Sequence, residues 1–172
     1  MNDRHMAADG PHTDNGVPKG CTSITPFLAV HDPEAAVEFY RRVFGAEQIS
    51  RIVAGGGIVH AELAFERGRL QLGPANPAFG LVAPDPEEDL VSCSFVHYCS
   101  DVDATVRRAL DAGAVLREPV TDFVSGDRFG SVRDPFGVRW AILTRIEDLD
   151  DAESAARVER WATGRARGHD EG

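Results

Sequence analysis

The chain has 172 residues, 42% of them hydrophobic, and a formal net charge of −10 at pH 7. This acidity argues against nucleic acid or an anionic membrane as the main partner, because both require a basic surface. No apolar run approaches the roughly 20 residues needed to span a bilayer, and no apolar signal core is present, so we expect a cytoplasmic protein.

The first 54 residues comprise a polar segment followed by a predicted strand, helix and strand. Residues 1–21 are rich in Gly and Pro and lack periodicity, which predicts a disordered tail. A strand over residues 23–30 precedes Asp32-Pro33, a pair typical of a helix N-cap and first helical residue. Apolar residues then recur on one helix face up to Gly45, which ends the helix. A strand over residues 47–54 follows.

Two more strands complete the first repeat, and the order then recurs. The strands cover residues 58–65 and 69–73, and a Pro- and Ala-rich linker covers 76–89. Residues 91–99 are the next strand, Ser100-Asp101 begins a helix that ends at Gly113, and strands begin near residues 115, 128 and 138. The sequence therefore predicts an internal duplication with a period of about 70 residues.

The predicted domain covers residues 22–146, with module one at 22–75, the linker at 76–89 and module two at 90–146. Residues 147–172 are predicted to be a C-terminal helix and tail, in which Trp161 is available to dock the helix on the domain or on a second subunit. The three cysteines, Cys21, Cys93 and Cys99, have no metal-type spacing, and their odd number argues against a disulfide framework.

Four stretches of the chain resemble one known family. They are TPFLAVHDPEAAVEFYRRVFGAE, HAEL, SDVDATVRRALDAGA and GDRFGSVRDPFGVRW. Together they resemble the vicinal oxygen chelate superfamily, which includes glyoxalases, bleomycin-resistance proteins and extradiol dioxygenases, and most of all its small bacterial glyoxalase-like (demethylubiquinone-methyltransferase-like) proteins. The resemblance implies an α+β fold of two βαβββ modules that form a curved, barrel-like mixed sheet with helices on the convex face. It also implies a pocket on the concave face and a homodimer.

Family members usually hold a divalent metal in that pocket with His and Glu side chains. Matching by motif places the four ligand positions on Thr25, Gln71, Ser94 and Ala141. Alanine cannot coordinate a metal, and the other three side chains are poor ligands for such ions. We therefore predict that the chain has no metal and no cofactor at this position.

Strand alternation sorts the remaining candidates by face. If the four matched positions look inward, then His60 and Glu62 also point to the concave side, two residues apart on one strand. We select His60 and Glu62 as candidate catalytic residues. The candidate substrate contacts are Thr25, Phe27, Arg69, Gln71, Ser94, Tyr98, Arg128 and Arg139. The arginines make an anionic ligand plausible, because guanidinium groups grip carboxylates and phosphates.

Three readings of His60 and Glu62 remain open at the level of sequence. The two side chains suit acid–base chemistry or substrate contact. They are also consistent with a structural pair that anchors a pocket wall or a dimer seam. A nonstandard metal site is the third reading, although two strong donors are too few to supply it.

Three functions follow from these readings. The first is a metal-independent binding protein for a small molecule, with a pocket of the drug-sequestering type. The second is a metal-independent isomerase, epimerase or lyase in which His60 or Glu62 is the acid or base, and Arg69 or Arg139 stabilises the anion formed. The third is a metal-dependent lactoylglutathione lyase or dioxygenase whose ligands lie elsewhere. Fold alone does not choose among them.

Overall fold

The computed structural model of the chain describes residues 6–167, with side chains up to residue 164. It divides into two compact units, unit 1 over residues 1–83 and unit 2 over residues 84–172. Each unit contains one of the two predicted repeats. No helix within the described residues has the length and apolar character needed to cross a membrane.

Unit 1 begins with a short hairpin inside the predicted disordered tail. Strands β1 (Thr13–Asp14) and β2 (Val17–Pro18) pair in antiparallel fashion. The turn between them is Asn15-Gly16, whose φ angles are 45° and 86°. Successive positive φ angles are those of the type I′ turn that Asn-Gly favours, so this dipeptide is the sequence signal for the hairpin. Residues 1–5 of the predicted tail lie outside the described residues.

The rest of unit 1 is a four-stranded sheet with one helix. Its elements are β3 (Phe27–Val30), α1 (Pro33–Phe44), β4 (Glu47–Ala54), β5 (Gly57–Ala64) and β6 (Arg69–Pro74). The strand order is β3-β6-β5-β4, with β3 parallel to β6 and the other neighbours antiparallel. A single 3₁₀ turn, Pro77–Phe79, follows the sheet.

Unit 2 has the same arrangement and one further helix. Its elements are β7 (Ser94–Tyr98), α2 (Val102–Asp111), β8 (Val115–Phe123), β9 (Asp127–Arg133), β10 (Arg139–Arg145) and α3 (Asp151–Arg167). The strand order is β7-β10-β9-β8, with β7 parallel to β10. The fold class predicted from the sequence is confirmed, and the strands of the two repeats make two four-stranded mixed sheets, without a closed barrel among the described residues.

The helices begin where the sequence predicts, for the predicted reason. The Asp32 side chain accepts a hydrogen bond from the Ala35 amide at 3.0 Å, and Pro33 is the first helical residue. Asp101 does the same for the Ala104 amide at 2.9 Å. Each carboxylate satisfies one of the amide groups that have no partner inside the helix. Gly45 then ends α1 in the left-handed conformation, at φ 68°.

Each sheet buries one face under its helix. Leu63 on β5 and Leu72 on β6 are fully buried in unit 1, and Val132 on β9 and Ile142 on β10 are fully buried in unit 2. These positions follow the predicted alternation, so the residues between them lie on the opposite side of the sheet. We call that opposite side the helix-distal face of each unit.

The C-terminal helix α3 belongs to unit 2. Asp150 caps it by accepting a hydrogen bond from the Glu153 amide at 2.8 Å. The Trp161 ring meets Phe123 at the end of β8 edge to face, with 5.1 Å between ring centroids. Trp161 therefore docks the helix on its own unit. Residues 168–172 of the predicted tail lie outside the described residues.

Candidate functional site

On the helix-distal face of unit 1, three predicted residues lie side by side. Gln71 on β6 is paired with Phe27 on β3 and with Glu62 on β5. Directly paired residues of neighbouring strands have side chains close enough to interact. Phe27 is 39% exposed, and Gln71 and Glu62 are half-buried. An aromatic ring, an amide and a carboxylate therefore form one row across the sheet.

Glu62 is committed to an ion pair. Nη1 of Arg69 donates to Oε1 of Glu62 at 2.6 Å, and the two side chains are only 18% and 14% exposed. The same nitrogen contacts Sγ of Cys21 at 3.4 Å. The hydrogen bond to Glu62 raises the pKa of Arg69 above its usual value. A carboxylate held in this way orients Arg69 and is a weaker candidate for a free general base.

His60, unlike Glu62, has a side-chain atom without a hydrogen-bond partner. Its Nδ1 atom is buried and has no hydrogen-bond partner. The ring lies beside Phe27, with 6.0 Å between centroids and 36° between planes. Gly73 permits this packing, because a Cβ there would lie 3.1 Å from Cζ of Phe27 and 2.6 Å from the Val59 carbonyl oxygen. A buried polar atom without a partner is uncommon in folded proteins, so His60 stays a candidate for a role beyond packing.

Unit 2 carries a cavity of about 400 Å³ on its helix-distal face. It combines an aromatic ring, a carboxylate, a guanidinium and small side chains. The lining residues are Val91, Ser92, Cys93, Ser94, Glu118, Phe129, Arg139 and Ala141. This volume lies within the usual range for small-molecule sites, and a few polar groups among apolar ones are typical of their walls.

The charged groups of the cavity hold each other in place. Oε2 of Glu118 accepts hydrogen bonds from Oγ of Ser131 and, at 2.7 Å, from Nη2 of Arg139. Ser131 is fully buried, so it anchors the carboxylate from below. Both charged side chains remain more than a third exposed, which leaves them accessible to a ligand.

The structure separates the other predicted contacts. Ser94 is paired with Arg139 and lines the cavity. Tyr98 on the same strand is 55% exposed. Burial lowers the pKa of Arg145, but hydrogen bonds to Tyr98 and Asp127 outweigh it, so this pKa is raised. Thr25 lies half-buried just before β3.

Arg128 lies away from the cavity, on the helix side of the sheet. Its guanidinium donates two hydrogen bonds to Asp103 of α2, at 2.7 and 2.9 Å, and a third to Asp122 at 2.7 Å. These bonds raise the pKa of Arg128 and lower that of Asp103. This arginine joins the sheet to its helix, and the structure does not bring it together with Ser94 and Arg139.

The matched metal positions do not fit a divalent ion. They are a threonine, a glutamine, a serine and an alanine, which offer no imidazole, thiolate or carboxylate. Within residues 6–167, no three His, Cys, Asp or Glu side chains are grouped so that they could hold a metal. His60 and Glu62 are the only strong donors predicted for the pocket, and Arg69 already occupies the Glu62 carboxylate.

Sequence reasoning missed Glu118, Phe129 and Cys93 as cavity residues. Register shifts lie on either side of Glu118 in its pairing with β9. A β-bulge changes which residues share a face, so simple alternation does not extend along β8. Cys93 precedes β7 and is exposed.

Comparison with known proteins gives one family. The model of the Glyoxalase/Bleomycin resistance protein/Dioxygenase superfamily matches residues 23–142. An uncharacterized protein of Mycobacterium tuberculosis is 30% identical over 145 residues, which is 83% of this chain and 85% of the relative.

Two solved structures have a similar fold. TioX from Micromonospora is 30% identical, with a TM-score of 0.56, and the match covers 72% of this chain and 98% of TioX. A glyoxalase-related enzyme from Fulvimarina pelagi is 21% identical, with a TM-score of 0.57, and the match covers 72% of this chain and 87% of that protein. At 21% identity the second likeness shows the fold alone.

Proposed function

This chain belongs to the Glyoxalase/Bleomycin resistance protein/Dioxygenase superfamily, and on that premise we propose that it is a small-molecule binding protein that works without the family's usual divalent metal. The observation that carries the proposal is the cavity of about 400 Å³ in unit 2. Its walls offer a ring for stacking and two opposite charges for orientation, which is what recognition of a polar aromatic molecule requires.

The unit 1 face supports the same reading. Phe27 presents a partly exposed ring, and Gln71 beside it presents an amide with both a donor and an acceptor. The Glu62–Arg69 pair fixes one edge of this surface. We therefore propose Phe27, Gln71 and Arg69 as ligand contacts in unit 1, and Ser94 and Arg139 in unit 2. Thr25 and Tyr98 are proposed as outer contacts.

Cys93 provides a direct reporter for ligand binding. It is exposed and lines the cavity. A library of aromatic carboxylates, amides and heterocycles should contain compounds that raise the melting temperature, because a ligand that binds only the folded state stabilises it. The same compounds should slow the reaction of Cys93 with a thiol reagent, measured in a Cys21→Ser/Cys99→Ser background.

Matched variants test whether the unit 2 cavity is the binding site. Phe129→Ala and Arg139→Gln remove the cavity ring and charge, and we expect each to weaken binding roughly tenfold to a hundredfold. Arg51→Gln is the control, since Arg51 pairs with Glu34 on a partly exposed surface of unit 1. Equal affinities for all three variants and the wild type would reject the cavity as the binding site.

Elemental analysis tests the metal-free part of the proposal. Protein incubated with excess Zn²⁺, Ni²⁺, Mn²⁺ and Fe²⁺ and then desalted should retain less than about a tenth of an equivalent of any ion. Retention near one equivalent would contradict it. That result would favour a metal-dependent lactoylglutathione lyase or dioxygenase, with His60 and Glu62 in the metal's coordination shell.

A metal-independent isomerase, epimerase or lyase is the second candidate, and the unpartnered Nδ1 of His60 favours it. An imidazole without a fixed partner is free to take or give a proton when a substrate arrives. In deuterated solvent the enzyme should then replace a hydrogen on the carbon next to a substrate carbonyl with deuterium. His60→Gln should abolish this exchange. Absence of exchange in the wild type with every carbonyl ligand that binds would remove this candidate.

We further propose that the protein is a cytoplasmic homodimer, as the family resemblance implies. Sedimentation equilibrium across a hundredfold range of concentration tests the assembly. A single species with the mass of one chain throughout would contradict it.

A further inference from the structure

The arginines of the unit 2 sheet differ in whether their acidic partners belong to regular secondary structure. Arg139 is paired with Glu118 on β8, and Arg145 with Asp127 on β9. Arg128 is paired with Asp103 on α2 and Asp122 on β8. All of these acids belong to strands or helices, whose backbones are fixed by hydrogen bonds.

Arg117 and Arg133 have a partner of another kind. Nη1 of Arg117 lies 2.8 Å from Oδ1 of Asp89, and Nη1 of Arg133 lies 2.9 Å from the same oxygen. Asp89 belongs to the segment before β7, which has no regular secondary structure, and its side chain is 59% exposed. Nη1 of Arg133 also donates to the carbonyl oxygen of Glu88 at 2.6 Å.

Three arginines lie close together here, and Arg133 in particular needs a compensating negative charge. Arg133 is only 13% exposed, and it is paired directly with Arg139 on the neighbouring strand. Like charges in directly opposed positions of a sheet are destabilising unless each is compensated. Glu118 compensates Arg139, and Asp89 compensates Arg133 together with Arg117. If Asp89 left, two guanidinium groups would converge on an empty place of the size of one carboxylate.

The segment that holds Asp89 also forms a wall of the cavity. Two residues after Asp89 the chain reaches Val91, and residues 91–94 line the cavity next to Arg139. Displacement of Asp89 therefore releases the start of that wall. An anion that replaces Asp89 gains two guanidinium partners beside the cavity.

We propose that Arg117 and Arg133 form an anion-binding site that Asp89 occupies in the unliganded protein, and that the cavity ligand carries a carboxylate or phosphate which displaces Asp89. The second half rests on the proposed binding function of the cavity. The first half does not, because an inorganic anion can occupy the arginine pair alone.

The first experiment measures the binding of inorganic phosphate by isothermal titration calorimetry at constant ionic strength. In Asp89→Asn the internal competitor is gone, so we expect phosphate to bind at least about tenfold more tightly than in the wild type. Glu87→Gln is the matched control, since it makes the same charge change in the same segment and should bind phosphate as the wild type does.

A second variant shows whether the gain depends on the arginine pair. Adding Arg133→Gln to Asp89→Asn should remove the tighter phosphate binding. Equal phosphate affinity in Asp89→Asn and Glu87→Gln would overturn the anion site, as would a gain that survives Arg133→Gln. Circular dichroism of each variant confirms that it remains folded.

The cavity ligand tests the second half. A carboxylate ligand found by thermal shift should bind Asp89→Asn more tightly than it binds the wild type, whereas its primary amide should bind both equally. If phosphate binds as expected but the carboxylate shows no preference for Asp89→Asn, the displacement step is wrong and the anion site stands. If no compound binds the cavity at all, the proposed function fails while the phosphate result is unaffected, and the displacement step fails with it.

Discussion

The two units have the same architecture but different chemistry on their helix-distal faces. Asp32 of unit 1 and Asp101 of unit 2 cap equivalent helices, about 70 residues apart, and Leu72 and Ile142 are buried at equivalent points of the last strands. The faces turned away from the helices share no such pattern. Unit 1 carries an unpartnered histidine nitrogen and the half-buried Glu62–Arg69 ion pair, and unit 2 carries a cavity whose wall includes the Glu118–Arg139 pair.

The difference shows which side chains the architecture constrains. A residue between sheet and helix must fill a close-packed space, so both repeats retain apolar side chains there. A residue on the helix-distal face has no such requirement from its own helix. Its identity is therefore less constrained by the architecture, and Gln71 in unit 1 corresponds to Ala141 in unit 2.

The largest expected effect is a loss of stability at the equivalent core positions of the two units. Leu72→Ala and Ile142→Ala each remove a fully buried side chain, and we expect each to lower the free energy of unfolding by about 2–5 kcal/mol. Urea denaturation followed by circular dichroism measures both. Val96→Ala is the control, because Val96 is 60% exposed and its loss should change the free energy of unfolding by no more than about 0.5 kcal/mol. A core substitution that costs no more than Val96→Ala would show that its unit is packed differently.

The helix caps test the same equivalence at a smaller scale. Asp32→Ala and Asp101→Ala each remove a hydrogen bond to a first-turn amide, and we expect a loss of about 1 kcal/mol in either unit. Thermal and urea unfolding measure the loss. Asparagine at either position retains an oxygen acceptor, so Asp32→Asn and Asp101→Asn should keep most of the stability. Unequal losses would mean that one helix depends less on its cap.

The smallest effect concerns Asp103, which ties α2 to Arg128 in unit 2. The hydrogen bonds from Arg128 hold the pKa of Asp103 below its ordinary value of 3.8. A carboxylate with a lowered pKa stabilises the fold above its unfolded pKa, and this contribution is lost as pH falls through the folded pKa. Asp103→Asn should therefore be less stable than the wild type at pH 6, and the difference should shrink below about pH 4.

Melting temperatures of Asp103→Asn and the wild type between pH 6 and pH 2 measure this difference in stability. Arg128→Met, with and without Asp103→Asn, is the control background, because it lacks the guanidinium that lowers the pKa of Asp103 most. If Asp103→Asn alters the pH profile as strongly in the Arg128→Met background as in the wild type, then the ion pair is not the cause.

Much of the fold could be predicted because its signals are local. Asp32-Pro33 and Ser100-Asp101 mark helix starts, and Asp134-Pro135-Phe136-Gly137 marks a turn. In the structure Asp134 is buried and accepts hydrogen bonds from the amides of Phe136 and Val138, and from Nε1 of Trp140. Each of these interactions spans six residues or fewer, so the sequence contains all of its parts. The Asn15-Gly16 hairpin was equally local, and it was missed because the surrounding segment is polar.

The candidate site could be predicted only in part. Alternation placed His60 and Glu62 on the helix-distal face, where the structure also has them, but it could not show that Arg69 holds Glu62 while Nδ1 of His60 lacks a partner. Arg128 was a candidate substrate contact, and the structure pairs it with Asp103, 25 residues away in the sequence. Residues 76–89 were predicted to be a linker, and the structure shows that Asp89 within them joins two strands through Arg117 and Arg133.

The sequence by itself determined the order of strands and helices, the duplication, and the side of each sheet that is buried, because periodicity, caps and turns depend on neighbouring residues. Only the tertiary structure decided which charges meet. Asp89 and Arg133 are 44 positions apart in the sequence, and Glu118 and Arg139 are 21 positions apart. Ion pairs form between side chains that are close in space, and the distance along the chain holds no information about them until the strands are paired.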